Sequence, residues 1–119
     1  MSKIYFFDDP NEPYIPITFN DYYDALAEMT SIYQEDRFGQ RIVALADDFG
    51  EITRIIYHHA GSTIMLSLYE SLLVQYDSEI RRAVIVGFDP VNGNIKVEDI
   101  NLHHSVFVRW VPIECIRYI

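Results

Sequence analysis

Cysteine occurs once in 119 residues. No internal disulfide can form, so the chain is not a stapled secreted scaffold. Glycine and proline number five each, too few for a collagenous or low-complexity segment. No apolar run approaches the roughly 18–20 residues that span a bilayer as a helix. The first residues, Met1-Ser2-Lys3, precede only a short aromatic run, Tyr5-Phe6-Phe7, which offers neither the apolar stretch nor the cleavage site of a secretion signal. GxGxxG, Walker A, GxSxG and HExxH patterns are all missing, and scarce glycine argues against a backbone phosphate cradle. These absences point to a cytoplasmic protein that holds no cofactor and is not an enzyme.

What is present is apolar and acidic. Half of the residues are hydrophobic and 14% aromatic, which excludes intrinsic disorder. The length suits one domain. The net charge is −9 and the pI about 4.6, so bare nucleic acid and anionic membranes should repel the chain. Residues 1–36 hold eight acids against Lys3 alone, whereas residues 37–119 hold ten acids against eight bases. Nearly all the excess therefore sits in the first third.

Pro10, Pro13 and Pro16 recur at three-residue spacing in residues 8–19. Proline fixes φ and disfavours helix just before it, so residues 1–19 read as an extended arm. Residues 20–36 read as a helix. Thr18 with Asp21 fits a capping box, with Asn20 as an alternative cap. Tyr22, Leu26, Met29 and Tyr33 form an apolar stripe flanked by Ala25 and Ile32. Residues 40–59 fit a hairpin, Arg41–Ala46 and Ile52–Tyr57 around Asp47-Asp48-Phe49-Gly50, better than a long helix that would hold Gly50 in its middle. Residues 62–76 fit a short helix over 62–72 that passes into a strand.

From residue 80 the pattern is β. Arg82–Phe88 and Asn94–Glu98 flank the turn Asp89-Pro90-Val91-Asn92-Gly93. Ser105–Val111 is a third strand, and Pro112 opens a one-turn closing segment. Alternation places Val84, Val86, Ile95, Val97, Val106, Val108, Trp110, Ile113 and Ile116 in the core. The expected fold is a single α+β domain: the arm and helix packed on a strongly bent antiparallel sheet or a small SH3/Sm-like barrel.

The stretch Leu73-Val74-Gln75-Tyr76, Arg82–Phe88, Asp89-Pro90, Ile95-Lys96-Val97 and Val111-Pro112-Ile113 with Ile116 resembles the C-terminal half of the YolD-like family, over about residues 72–119. Those proteins are small and are encoded beside error-prone DNA polymerase genes and on mobile elements. The resemblance implies a non-enzymatic accessory role near DNA repair and carries over no catalytic residue. The N-terminal half lacks the family's basic-glycine start.

Two histidine pairs, His58-His59 and His103-His104, invite a metal reading. Neighbours on a strand point to opposite faces, and no carboxylate or cysteine lies at ligand spacing beside them, so edge or loop histidines are expected instead. A small enzyme would need these histidines to converge on Cys115, where Glu114 disfavours a thiolate. The feature that carries most weight is the acidic, tyrosine-rich first third. On a helix Asp21, Asp24 and Glu28 lie about 5–6 Å apart from one to the next, close to the phosphate spacing of a nucleic-acid strand. Asp8, Asp9 and Glu12 extend the line, and Tyr14 and Tyr23, with Tyr5, supply interface anchors. The expected function is non-catalytic: an acidic inhibitor or regulator, of the phage or mobile-element kind, that binds a nucleic-acid-handling protein as a DNA mimic. No direct contact with nucleic acid or membrane is expected. Helix-dipole complementation by Asp21 and Asp24 and an ordinary solvated face are the plainer alternatives.

Overall fold

The computed structural model describes residues 1–7, 16–35, 42–59, 62–76, 78–99 and 107–117. It is mostly antiparallel β-sheet with one helix among those residues. The chain has two compact units, Met1–Leu66 and Ser67–Ile119.

The first unit carries a sheet in the order β2-β1-β3-β4-β5. Its strands are β1 (Ser2–Phe7), β2 (Ile17–Phe19), β3 (Ile42–Ala46), β4 (Ile52–His59) and β5 (Ser62–Ser67), with α1 (Tyr22–Gln34) between β2 and β3. The expected arm is thus corrected at both described ends. Ser2–Phe7 is an inner strand, paired with β2 through Ser2↔Phe19 and with β3 through Lys3↔Ala46. Its Tyr-Phe-Phe run suits a half-buried pleat. The arm's prolines Pro10 and Pro13 lie outside the described residues.

The hairpin formed by β3 and β4 appears where the sequence places it, and all five residues of β3 are buried. The helix over 62–72 does not form. β5 and β6 (Ser71–Tyr76) are both strands, joined by a turn in which Tyr69 adopts φ 68°. The Ile64-Met65-Leu66 and Leu72-Leu73-Val74 runs satisfy either period, and sheet pairing decides between them.

Helix α1 starts three positions later than the Thr18 capping box predicts and one later than the Asn20 alternative. Asp21 is the N-cap: its Oδ1 accepts from the Tyr23 N–H at 2.8 Å, and its carbonyl accepts from Ala25 N–H. The buried stripe is Ala25, Met29 and Ile32, set on Ile4, Val43, Leu45 and Ile56, with Tyr22 and Leu26 at its margin. Tyr33, expected on the stripe, is exposed.

The second unit holds a sheet in the order β10-β6-β7-β8-β9. Its further strands are β7 (Glu79–Asp89), β8 (Asn94–Asp99), β9 (Phe107–Pro112) and β10 (Ile116–Arg117), with a 3-10 turn at Ile113–Cys115. Among the described residues this sheet does not close into a barrel: β9 and β10 are its ends. One face buries Leu72, Val74, Ala83, Ile85, Ile95, Val97, Val111, Ile113 and Ile116. Four of the expected core residues are among these.

The others correct the register. On β7 the inward residues are Ala83 and Ile85, with Val84 and Val86 half-buried, and the pairing to β8 shifts between Ile85 and Gly87. On β9 the pairs Val97↔Arg109 and Ile95↔Val111 turn the odd residues inward. Val108 and Trp110 are therefore exposed, Trp110 by 50%. Val106 lies outside the described residues. At the end of the buried face Asp99 is buried and pairs with Arg81, which also meets Glu79. Desolvation works to lower the Arg81 pKa, but Glu79 and Asp99 outweigh it and leave the guanidinium above its ordinary range.

Candidate functional site: an acidic end of the first unit

Four connections gather one end of the first unit. Register places Ser2 opposite Phe19, two residues before the Asp21 cap. The Ser2 hydroxyl donates to Asp48 Oδ1 at 3.3 Å, and the first amino group of the chain lies 3.3 Å from the same oxygen. Tyr22 Oη and Thr53 Oγ1 are 3.0 Å apart, which ties the start of α1 to β4. The hairpin tip and the helix start therefore share that end of the sheet.

The tip is organised by one carboxylate. Asp47 Oδ1 accepts from the N–H groups of Phe49 and Glu51 at 2.9 and 3.0 Å. The Asp47 N–H donates to the Glu51 carbonyl, and the Gly50 N–H donates to the Asp47 carbonyl. An aspartate that bonds its own turn is a standard device. Gly50 sits at φ +83°, a conformation that L side chains rarely adopt. The constrained loop leaves Phe49 96% exposed and Asp48 and Glu51 at the surface.

This end of the sheet carries the carboxylates Asp21, Asp24, Asp47, Asp48 and Glu51. Tyr23 and Phe49, also on these two segments, are exposed. The described basic side chains of this unit are Lys3 and Arg54, both half-buried. Such an arrangement supplies electrostatic attraction and exposed aromatic rings.

Among the sequence-predicted residues, the fold brings Asp21, Tyr23 and Asp24 to this end, all exposed. Glu28 lies a further turn along α1 and is half-buried with a partner of its own. Asp8, Asp9, Glu12 and Tyr14 lie outside the described residues. Reasoning from the sequence left out Phe49 and Glu51 and treated Asp47-Asp48 as an isolated turn. The missing signal was β1: read as a strand antiparallel to 42–46, it carries the chain's first residues to the hairpin tip.

His58 is exposed on β4, with Nδ1 3.4 Å from Thr63 Oγ1. Cys115 is a half-buried free thiol in the other unit. His103 and His104 lie outside the described residues. Among the described residues no group of three or more His, Cys, Asp or Glu is placed to hold a metal ion, and no helix is long and apolar enough to cross a membrane. No protein-family model, curated protein or solved structure matches the chain.

Proposed function

We propose that this chain is a non-catalytic, cytoplasmic protein-binding protein. Its acidic end occupies the cationic cleft of a nucleic-acid-handling protein and so inhibits or regulates it, as phage and mobile-element proteins do. The observation that supports this is the meeting of the α1 start and the β3–β4 tip. Two separated stretches, each with carboxylates and one exposed ring, Tyr23 or Phe49, are tied to the same end of the sheet. A cleft built for phosphates attracts such a surface at long range, and aromatic anchors add short-range specificity. Asp8, Asp9, Glu12 and Tyr14 extend the surface in this proposal.

The test is capture from bacterial lysate on the immobilised full chain at low salt. The retained proteins should be nucleic-acid-binding, should be displaced by duplex DNA, and should be lost with Asp24→Lys/Asp48→Lys/Glu51→Lys. Each of these three side chains lies off the buried stripe, and circular dichroism checks the fold. Retention that survives the triple reversal and resists DNA refutes the proposal.

A second reading follows the resemblance to the YolD-like family: an accessory role beside error-prone DNA repair. Its support is the second unit. The β7–β8 hairpin turns at Asp89–Gly93, and the Pro112-Ile113 segment leads through one 3-10 turn to a strand beside β6. That order of strand, turn, strand and closing segment is the one that carries the resemblance. A polymerase accessory factor in the eluate, with no displacement by DNA, favours this reading.

A further inference from the structure

A strand at the end of a sheet offers unpaired N–H and C=O groups. Natural folds protect such edges by shortness, charge or proline. Among the described residues four strands end the two sheets: β2, β5, β9 and β10. Three are protected. β2 has three residues and follows Pro16; β10 has two and ends on Arg117; β9 carries Arg109 and closes on Pro112. β5 has none of these devices. Its six residues, Ser62-Thr63-Ile64-Met65-Leu66-Ser67, include no charge and no proline. β4 flanks it on one side and no described strand on the other.

We propose that β5 is a self-pairing edge. Two copies join antiparallel, β5 to β5, about a twofold axis perpendicular to the sheet, and their two sheets become continuous. Such an axis places one residue opposite its own copy and keeps each face continuous across the seam. Two registers centre β5 on the axis. With Ile64 opposite itself, Ser62 meets Leu66 and Thr63 meets Met65, so hydroxyls face apolar groups. With Met65 opposite itself, Ile64 meets Leu66 and Thr63 meets Ser67. Apolar then faces apolar and hydroxyl faces hydroxyl, the stabilising cross-strand pattern. This self-complementarity commits the edge to a second copy of the chain rather than to a foreign segment. Met65 packs on the core beneath α1, so the two α1 helices lie on the same face of the joined sheet.

Each copy carries −9. The dimer forms against charge repulsion and tightens as salt screens it. Binding through the acidic end weakens with salt, so the two associations fail separately.

The test is sedimentation velocity of the full chain over a wide concentration range at low and high salt. A reversible dimer that strengthens with salt is expected. Ile64→Lys, a charge set in the middle of the edge, should weaken it at least about tenfold. A second readout covers a folding defect in that variant. Thr63→Cys and Ser67→Cys are made singly in a Cys115→Ser background. Oxidation should cross-link the mixture of the two and leave each alone as a monomer under denaturing conditions. The proposal is overturned by a monomer under all conditions, by a dimer indifferent to a well-folded Ile64→Lys, or by a mixture that cross-links no better than its components.

Discussion

Ile32 and Tyr33 are neighbours on α1, turned about 100° from each other. Ile32 is 3% exposed and Tyr33 36%. Truncating Ile32 to alanine removes three buried carbons, a transfer loss of about 2.4 kcal/mol at about 0.8 kcal/mol per methylene. The surrounding Ile4, Val43, Leu45 and Ile56 belong to a pleated sheet that collapses little, so a cavity adds to the loss. Alanine returns about 0.5 kcal/mol through its better helix propensity. The net expectation is about 2–4 kcal/mol for Ile32→Ala. Tyr33→Ala keeps the same propensity gain, creates no closed cavity, and should cost under about 1 kcal/mol. α1 is the one helix among the described residues, so its ellipticity at 222 nm follows the first unit even where the two units melt apart. Ile32→Ala should lower the helix midpoint by roughly 10–20 °C for a unit of this size, and Tyr33→Ala by only a few degrees. Equal shifts, or a larger one for Tyr33, would show that α1 is rotated by one residue and that the Ala25–Met29–Ile32 stripe is wrong.

Asp21→Ala should cost about 0.5–2 kcal/mol through loss of the Tyr23 N–H partner, whereas Asp21→Asn keeps an acceptor and most of the stability; urea melts followed at 222 nm check both. Gly50→Val should destabilise the β3–β4 hairpin by about 1–2 kcal/mol although nothing lies within 4 Å of the added Cβ, because the whole cost is the positive φ; Gly50→Asn should be milder, and the same melts decide. Trp110 is the single tryptophan, half-exposed, with the Lys96 ammonium 5.9 Å from its ring centre. Iodide should quench its fluorescence readily in the parent and less in Lys96→Glu, since the cation draws the anion to the ring; equal quenching would place Lys96 elsewhere.

The sequence made legible what a local period or a turn determines. The β3–β4 hairpin, the β7–β8 turn at Asp89–Gly93 and the body of α1 all rest on residues suited to the local conformation, such as Gly50, whose φ of +83° other residues rarely adopt. Where both faces of a strand are apolar, alternation carries no phase. Arg82–Phe88 is such a stretch, and pairing with β6 and β8 turns Ala83 and Ile85 inward. On β9 the failure has a different cause. Arg109 takes an inward position, half-buried, because its partner Val97 does, so a reading by hydropathy alone puts Trp110 on the wrong side. For the candidate site, composition revealed acid excess in the first third. It was silent on which acids meet, since that depends on β1 pairing with β3 across more than thirty residues of chain.

Net charge is a poor guide to how this molecule associates, because its two candidate surfaces respond to salt in opposite senses. At the acidic end the carboxylates of Asp24, Asp48 and Glu51 act over a Debye length of about 10 Å at 0.1 M salt. A cationic partner is therefore gathered quickly in dilute buffer and slowly in concentrated buffer. At β5 no residue is charged, and the field of the remainder only opposes approach. Raising salt from about 0.01 to 0.5 M shortens the screening length several-fold. Capture of the partner should then fall while self-association rises. The Asp24→Lys/Asp48→Lys/Glu51→Lys variant separates the causes further. It removes three negative charges and adds three positive ones, which takes the formal charge from −9 to about −3. Partner capture should vanish, and the β5 dimer should tighten at low salt because less repulsion remains. If the variant loses both associations at once with its helix intact, one surface serves both, and the assignment of β5 to self-pairing is wrong.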